Sequence, residues 1–387
     1  MPIKQCAKIE NTQIRLLIND EDLLNEKLSD HEAASSTTTL KEKHEDHYNL
    51  YRSELKRLSY ETIYRILRDE NEPMYRPEDV EMRYYQKRSP SSSSSSSPSL
   101  PSDCHHPHSH HQHHHHYDDE ENHDLQKRSL KETSFLNLTK MNLKKFPPYP
   151  HVLRDYETLL SLDLSENYLE TVDMEEFSRL QFLNLSHNRL TYLPLWRNSS
   201  LISLNLNYNR LKSFSLAYNV KLRELYLCCN EIESLASANF TILYNLEVLD
   251  LSGNRLESLD SSLFPQMMHS LRVLNLADNQ FVTVYRETFY NLLSLNTLLL
   301  AGNNISDIDY ETFLALPNLQ YLDLSYNQLQ GKSIRALQGI TGLVALSIAF
   351  NPHLGPYMQE FVASWSLKEL DASGTGLCQI PAALALS

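Results

Sequence analysis

Residues 159–169 read Leu-Leu-Ser-Leu-Asp-Leu-Ser-Glu-Asn-Tyr-Leu, and this stretch decides the fold of the chain. Leucines occupy its first, fourth, sixth and last positions, and an asparagine occupies the ninth. Nine stretches of the chain follow this template closely. Their asparagines are Asn167, Asn188, Asn209, Asn230, Asn254, Asn279, Asn303, Asn327 and Asn351. Successive asparagines lie 21 to 25 residues apart, so one repeated unit accounts for the sequence from about residue 133 onward.

The spacing of the leucines predicts a short strand in each unit. The fourth and sixth residues lie two apart, so both side chains point to one face of the strand. One unit cannot bury its leucines alone, and the units are therefore expected to stack into a solenoid with a continuous parallel sheet. The asparagine follows the strand where the chain bends inward, and its amide can pair with backbone groups that would otherwise be buried without partners. The nine asparagines are therefore predicted to form a structural ladder.

Phenylalanine adds a second periodic signal. It stands ten residues after the asparagine in five repeats, at Phe177, Phe240, Phe264, Phe289 and Phe313. Together the two patterns resemble the leucine-rich repeat family, and the 24-residue repeats with this phenylalanine resemble the typical subclass of animal cell-surface and secreted proteins. The resemblance implies an α/β solenoid with a curved parallel β-sheet on the concave face. Short helices, 3-10 turns and loops are expected on the convex face.

The repeats define the domain organisation. Residues 131–387 are expected to form a leucine-rich repeat domain of about 11 repeats, the last of them incomplete. The first and last repeats are degenerate, since Met141 and Thr375 replace the asparagine. The chain ends on the apolar residues 381–386. This ending predicts an exposed edge of the sheet, an edge covered by a partner, or a truncated gene model.

The first third of the chain has a different composition. Residues 1–88 are charged, and a loose apolar stripe from Leu50 to Leu67 predicts a marginal helix, or alternatively a docking helix, in a region that is otherwise disordered. Residues 89–130 are rich in Ser, Pro and His with an acidic cluster, and they are expected to form a disordered linker because they cannot bury enough apolar area to offset the entropy of ordering. Histidine tracts can hold Zn²⁺, but such a run supplies no fixed geometry, so no metal site is predicted.

Composition and motifs narrow the class of function. With 35 basic and 49 acidic side chains the net charge is −14, which argues against a nucleic-acid partner. We find no phosphate-binding glycine loop, zinc-protease motif or nucleophile elbow, so no enzyme activity, cofactor or small-molecule substrate is predicted. No apolar run is long enough for a membrane span.

The compartment is left open by two opposing signals. The repeat subclass favours the cell surface or the extracellular space, whereas the lack of a signal segment and of cysteine-rich caps favours the cytoplasm. Asn-x-Ser/Thr sequons, including those at Asn198 and Asn239, are about as frequent as chance predicts. The function expected from the resemblance is a receptor- or adhesion-type module that binds a protein ligand. The alternative is an intracellular scaffold or regulatory subunit in signalling.

The concave face is the expected binding surface, because a preformed sheet loses little freedom on association. Large aromatic side chains on or beside this face are candidate anchors, and acidic residues in the middle of the strands could contact a basic partner, although Asp or Asn is ordinary there. The candidate partner-binding residues are Phe182, Tyr208, Tyr226, Asp250, Tyr321, Asp323, Tyr326 and Phe350. The neighbouring pair Cys228 and Cys229 is expected to be half-buried and without function, with redox sensitivity as the alternative.

Overall fold

The computed structural model describes residues 6–7, 15–17, 134–146, 158–260, 262–264, 268–338, 340–361 and 366–377. All of them belong to one compact unit made of residues 1–32 and 129–387. The predicted stripe from Leu50 to Leu67 and the predicted linker at 89–130 lie outside the described residues.

Short strands dominate the structure, as the leucine spacing predicts. In chain order they are β1 (Cys6–Ala7), β2 (Arg15–Leu17), β3 (Phe135–Asn137), β4 (Ser161–Asp163), β5 (Phe182–Asn184), β6 (Ser203–Asn205), β7 (Glu224–Tyr226), β8 (Val248–Asp250), β9 (Val273–Asn275), β10 (Thr283–Val284), β11 (Thr297–Leu299), β12 (Asp307–Ile308), β13 (Tyr321–Asp323), β14 (Ala345–Ser347) and β15 (Glu369–Asp371). One α-helix, α1, spans Ile334–Leu337. The 3-10 helices span Phe240–Ile242, Arg286–Phe289, Phe313–Ala315, Gly331–Ser333 and Gly355–Glu360.

The repeats build a single parallel sheet along the solenoid. Its order from β3 runs through β4, β5, β6, β7, β8, β9, β11, β13, β14 and β15, and the strands pair without a register shift, so that Leu162 lies beside Leu183 and Leu183 beside Leu204. The leucine in the middle of each of these strands therefore falls in one column, and all of these leucines are buried. On the other side of the solenoid, β10 and β12 form a separate parallel pair. The predicted leucine-rich repeat solenoid is confirmed.

The far edge of this sheet is covered by the chain itself. Strand β2 pairs in parallel with β15, placing Leu16 beside Leu370, and β1 pairs with β2 in antiparallel orientation. An edge strand exposes unpaired backbone N–H and C=O groups, and β2 satisfies those of β15. Strand β15 is therefore not the edge of the sheet, whereas the apolar ending at 381–386 lies outside the described residues. Residues 1–88 supply two strands that their composition did not predict.

Phenylalanines fill the space between the leucine layer and the convex wall. All five periodic rings, from Phe177 to Phe313, are at most 2% exposed. The ring of Phe240 lies 6.0 Å from that of Phe264 and 6.5 Å from that of Phe214, both with edge-to-face geometry. Such pairs stabilise neighbouring turns by about 0.5–1.5 kcal/mol beyond the burial of area. The rings thus join successive repeats on the side away from the sheet.

The asparagine ladder ties each repeat to the one before it. The amide nitrogen of Asn254 donates to the carbonyl oxygens of Leu251 and Ser252 in its own repeat and of Leu227 in the preceding one. Its side-chain oxygen accepts the backbone N–H of Ile232 at 3.0 Å. The other ladder members make equivalent bonds, and all nine are at most 7% exposed. This network fixes the position of the turn that ends each strand.

Candidate functional site

The concave face carries a row of Asp and Asn side chains at the last position of most strands. In eight of the eleven described repeats a side-chain oxygen of this residue accepts the backbone N–H two positions later, as Asp163 does from Ser165 at 2.9 Å. In β4, β8 and β13 it also accepts the hydroxyl of that serine. These bonds close the turn after the strand. The Asp/Asn excess is therefore explained by the backbone of the repeat itself.

The residue before each ladder position adopts a left-handed backbone in all eleven described repeats. Its φ lies between 54° and 67° throughout. We call this set the left-handed column; it comprises Lys140, Glu166, His187, Tyr208, Cys229, Gly253, Asp278, Gly302, Tyr326, Phe350 and Gly374. Three members are glycine, for which this conformation carries no strain. For each of the other members the left-handed backbone costs roughly 1–2 kcal/mol of folding free energy. The column follows the carboxyl ends of the strands along the whole sheet.

Two stacked aromatic pairs stand in the left-handed column. In the first, His187 stacks on Tyr208 with ring centroids 4.3 Å apart and 11° between the planes. In the second, Tyr326 stacks on Phe350 at 4.4 Å and 15°. We call these the N-terminal and the C-terminal aromatic pair. Each joins residues of adjacent repeats, so the stacking follows from the spacing of neighbouring strands.

Glycine makes room for the C-terminal aromatic pair. A Cβ atom added to Gly374 would lie only 2.7 Å from a carbon of the Phe350 ring. The ring therefore rests directly on the backbone of the next repeat. The contact with the backbone at Gly374 supports the Phe350 ring of the pair.

Two of the predicted partner-binding residues are not accessible. Tyr226 is 8% exposed and Asp250 is 1% exposed, so neither offers a partner more than a small accessible surface. Tyr226 lies in β7 beside Asn205 of one adjoining strand and Asp250 of the other. Asp250 turns its carboxylate toward Ser252, which donates from both its backbone and its hydroxyl.

The remaining candidates differ in exposure. Tyr208 is 41% exposed, and the others, Phe182, Tyr321, Asp323, Tyr326 and Phe350, are half-buried. The structure brings Tyr326 and Phe350 together but leaves Phe182 and Tyr321 in the strands, away from the left-handed column. Sequence reasoning missed His187 and did not place Cys229 beside Tyr208. The position of both residues directly before a ladder asparagine was the signal that could have found them.

Carboxylates lie close together toward the C-terminal half of the face. The pKa of Asp323 is raised to about 6, chiefly by burial and also by the negative charges of Asp371 and Asp278, although the bonds from Ser325 oppose the shift. A charged group that is removed from water and placed near like charges favours its neutral form. A positive charge placed beside Asp323 would therefore be attracted to this part of the face.

Other kinds of site receive no support in the described part of the chain. No group of three or more His, Cys, Asp or Glu side chains there could hold a metal ion. None of the helices described has both the length and the apolar character that a bilayer crossing requires.

The repeats match known family models. Models described as leucine-rich repeats match residues 179–198, 220–281, 245–305 and 293–352. A search of curated proteins found no matching sequence.

Among solved structures, three similar chains come from complexes. The complex of TLR13 with a single-stranded RNA contains a chain that is 28% identical, covering 56% of this chain and 33% of that one, with a TM-score of 0.49. For mouse RP105 with MD-1 the identity is 26%, with 56% and 42% covered and a TM-score of 0.46. For the Drosophila Toll–Spatzle complex it is 25%, with 50% and 28% covered and a TM-score of 0.43. This chain thus spans less than half the length of each.

Proposed function

The chain is a leucine-rich repeat protein, and we propose that its solenoid is a receptor- or adhesion-type module that binds a protein ligand on the concave face. Domains of this kind generally serve as protein-interaction modules and typically lack enzymatic activity. Its sheet is held by the ladder before any ligand arrives, so association orders little additional chain. We infer that the module has no catalytic role of its own.

The two aromatic pairs carry this proposal. Tyr208 and Tyr326 lie five repeats apart along one edge, which at about 4.8 Å per strand amounts to about 24 Å. Gly253 and Gly302, which lie between them, present no side chains. Pockets for small molecules surround their ligand closely, whereas protein interfaces place separate aromatic anchors on a broad surface. Two rigid aromatic anchors with glycines between them suit a protein ligand.

The acidic residues of the concave face indicate the charge of the ligand. Asp278 belongs to the left-handed column between the two aromatic pairs, and Asp323 lies in β13 beside the C-terminal pair. Burial is the main cause of the raised pKa of Asp323, and repulsion by the charges of Asp371 and Asp278 adds to it. A Lys or Arg side chain from the ligand would relieve that repulsion. We therefore propose a ligand with a basic residue between two apolar contacts.

Site-specific crosslinking tests this surface. A photoreactive benzoylphenylalanine is introduced at Tyr208 or at Tyr326 in the full chain expressed on animal cells. Tyr310 is the control, since it is 55% exposed and lies outside the sheet. We expect both concave positions to crosslink to the same protein, and Tyr310 not to do so. Adducts formed only from Tyr310 would contradict a concave binding surface.

Glycosylation distinguishes a cell-surface protein from the alternative, an intracellular scaffold. Asn239 is exposed, whereas the amide of Asn198 is buried and donates to the carbonyl of Phe177 at 2.6 Å. If the chain reaches the secretory route, peptide N-glycosidase should reduce its mass, and Asn239→Gln should remove one glycan while Asn198→Gln removes none. An unchanged mass after digestion would favour an intracellular scaffold.

A further inference from the structure

The repeat that contains β7 departs from its neighbours at three positions on the concave side. Tyr226 replaces the Asp or Asn that ends most strands, and Cys228 and Cys229 follow it. Because Tyr226 offers no carboxamide oxygen, the backbone N–H of Cys228 donates instead to Asn207 of the preceding repeat, at 2.7 Å. Departures from a repeat that cluster in space tend to mark functional positions.

The two thiols of this repeat lie in contact. Their sulfur atoms are 2.7 Å apart, and neither forms a disulfide. Neighbouring side chains of an extended strand point to opposite faces, which would separate the sulfurs. The left-handed backbone of Cys229, with φ of 60°, breaks that alternation and brings the second thiol to the side of the first.

The surroundings hold the pair in this arrangement. Cys228 is 2% exposed, whereas Cys229 is half-buried and therefore reachable from solvent. A Cβ atom at Gly253 would lie 3.1 Å from the Cys229 sulfur, so glycine at that position leaves space for the thiol. On its other side Cys229 hydrogen-bonds the hydroxyl of Tyr208, a member of the N-terminal aromatic pair.

We propose that Cys228 and Cys229 form a reversible vicinal disulfide by exchange with a small disulfide such as oxidised glutathione. The Cys229 thiolate attacks one sulfur of the reagent, forms a mixed disulfide and releases one glutathione thiolate, which takes up a proton. The Cys228 thiol then loses its proton and attacks the Cys229 sulfur, releasing the second glutathione thiolate, which is protonated in turn. Two protein thiols are oxidised and one disulfide is reduced to two glutathione thiols.

The order of attack follows from burial. The bond to Cys229 and burial raise the pKa of Cys228 well above its ordinary value, so Cys228 is a poor first nucleophile. It becomes the resolving thiol because it already touches the sulfur that it must attack. Adjacent Cα atoms lie about 3.8 Å apart, closer than in ordinary disulfides, so the product is strained and readily reduced.

The exchange has a consequence for the binding face. Closing the ring draws the Cys229 sulfur toward Cys228 and away from the hydroxyl of Tyr208. The redox state of the two cysteines therefore changes the hydrogen bond between Cys229 and Tyr208, which belongs to the N-terminal aromatic pair. This inference holds whichever ligand the face binds.

Mass spectrometry of the full chain tests the exchange. The reduced protein is equilibrated in glutathione buffers of increasing oxidised fraction, quenched with acid, treated with N-ethylmaleimide and digested with trypsin. The tryptic peptide 224–255 contains Cys228 and Cys229 and no other cysteine. We expect this peptide to lose two hydrogens and both maleimides, reversibly. The strain of the vicinal ring is common to the folded and the unfolded chain, but only the folded chain holds the two sulfurs in contact. Oxidation of the native protein should therefore need an oxidised fraction at least about tenfold lower than oxidation of the chain in concentrated urea.

Single variants test the assigned roles. Cys228→Ser should leave Cys229 trapped as a stable glutathione adduct, whereas Cys229→Ser should leave the buried Cys228 unmodified. The thermal melting of each variant is compared with that of the wild type to show that it is folded. The proposal is overturned if native peptide 224–255 keeps both maleimides, or if the urea-treated chain closes the ring as readily. It is also overturned if both variants take up glutathione equally.

Discussion

The phenol ring of Tyr326 lies against the phenyl ring of Phe350, with their centroids 4.4 Å apart and 15° between their planes. Both residues stand directly before a ladder asparagine in adjacent repeats, and both have a left-handed backbone. The conformation that turns the chain inward after each strand is therefore also the one that aligns these rings. A structural requirement of the repeat thus creates the surface that we propose as a binding anchor.

Gly374→Ala should lower the free energy of unfolding by about 1–3 kcal/mol, measured by urea denaturation of the full chain. The reason is twofold, since the φ of Gly374 is 65° and the new methyl group would meet the Phe350 ring at 2.7 Å. Gly342→Ala is the matched control, because its Cβ would meet nothing closer than the Leu319 carbonyl at 3.4 Å. Equal stability losses in the two variants would contradict the proposed support of Phe350.

Asn254→Ala should destabilise the full chain by about 1–3 kcal/mol, because it leaves buried carbonyl groups and the Ile232 N–H without their partner. Asn245→Ala serves as the control, since Asn245 is exposed and makes one bond, to the Val220 carbonyl. Urea midpoints of both variants provide the measurement. A midpoint for Asn254→Ala that matches the wild type would show that the ladder does not stabilise the stack.

Asp323→Asn should stabilise the protein at neutral pH. The folded pKa of about 6 exceeds the ordinary value of an aspartate, so between about pH 4 and pH 6 the folded state binds more protons than the unfolded state. Stability contributed by this group is therefore present at low pH and is lost as the pH rises through 6. Asparagine accepts the same turn bond in β5, β6 and β9, so the substitution preserves the turn.

Melting temperatures at pH 4 and pH 7.5 check this expectation. We expect Asp323→Asn to match the wild type at pH 4 and to exceed it at pH 7.5, by the equivalent of about 1–2 kcal/mol. Asp163→Asn controls for the change itself, because Asp163 makes the same two bonds with Ser165. A gain for Asp323→Asn that does not depend on pH would contradict the raised pKa of Asp323.

Glu166→Gly should leave stability unchanged or raise it by up to about 1 kcal/mol. Glycine removes the strain of a φ of 56°, and the exposed ion pair with Lys140 that is lost contributes little. Glu166→Val should instead cost about 1–2 kcal/mol, since a β-branched residue tolerates this conformation poorly. Glu170→Gly, at an exposed position outside the left-handed column, should be mildly destabilising. Urea midpoints that rank Val above Gly at position 166 would contradict the strain.

Much of the fold could be read from the spacing of a few residue types. Leucines two apart specify a strand with one buried face, and a constant period specifies that the strands stack in register. The same reasoning placed Asn254 and its equivalents where a buried amide pairs with the backbone. The pairing of Arg15–Leu17 with β15 could not be read in this way, because it joins segments more than 350 residues apart and depends on which edge remains unpaired.

The candidate site was only partly predictable. Sequence position identified Tyr208, Tyr326 and Phe350 as aromatics beside the sheet, but it also selected Tyr226, which the flanking strands bury. The spacing of leucine and asparagine in the sequence by itself determined the repeat, because leucine burial and asparagine pairing recur in every turn. Only the tertiary structure decided which side chains stack, which are covered and which thiols touch. Those properties depend on the residues of adjacent repeats and on the left-handed turn that brings them together.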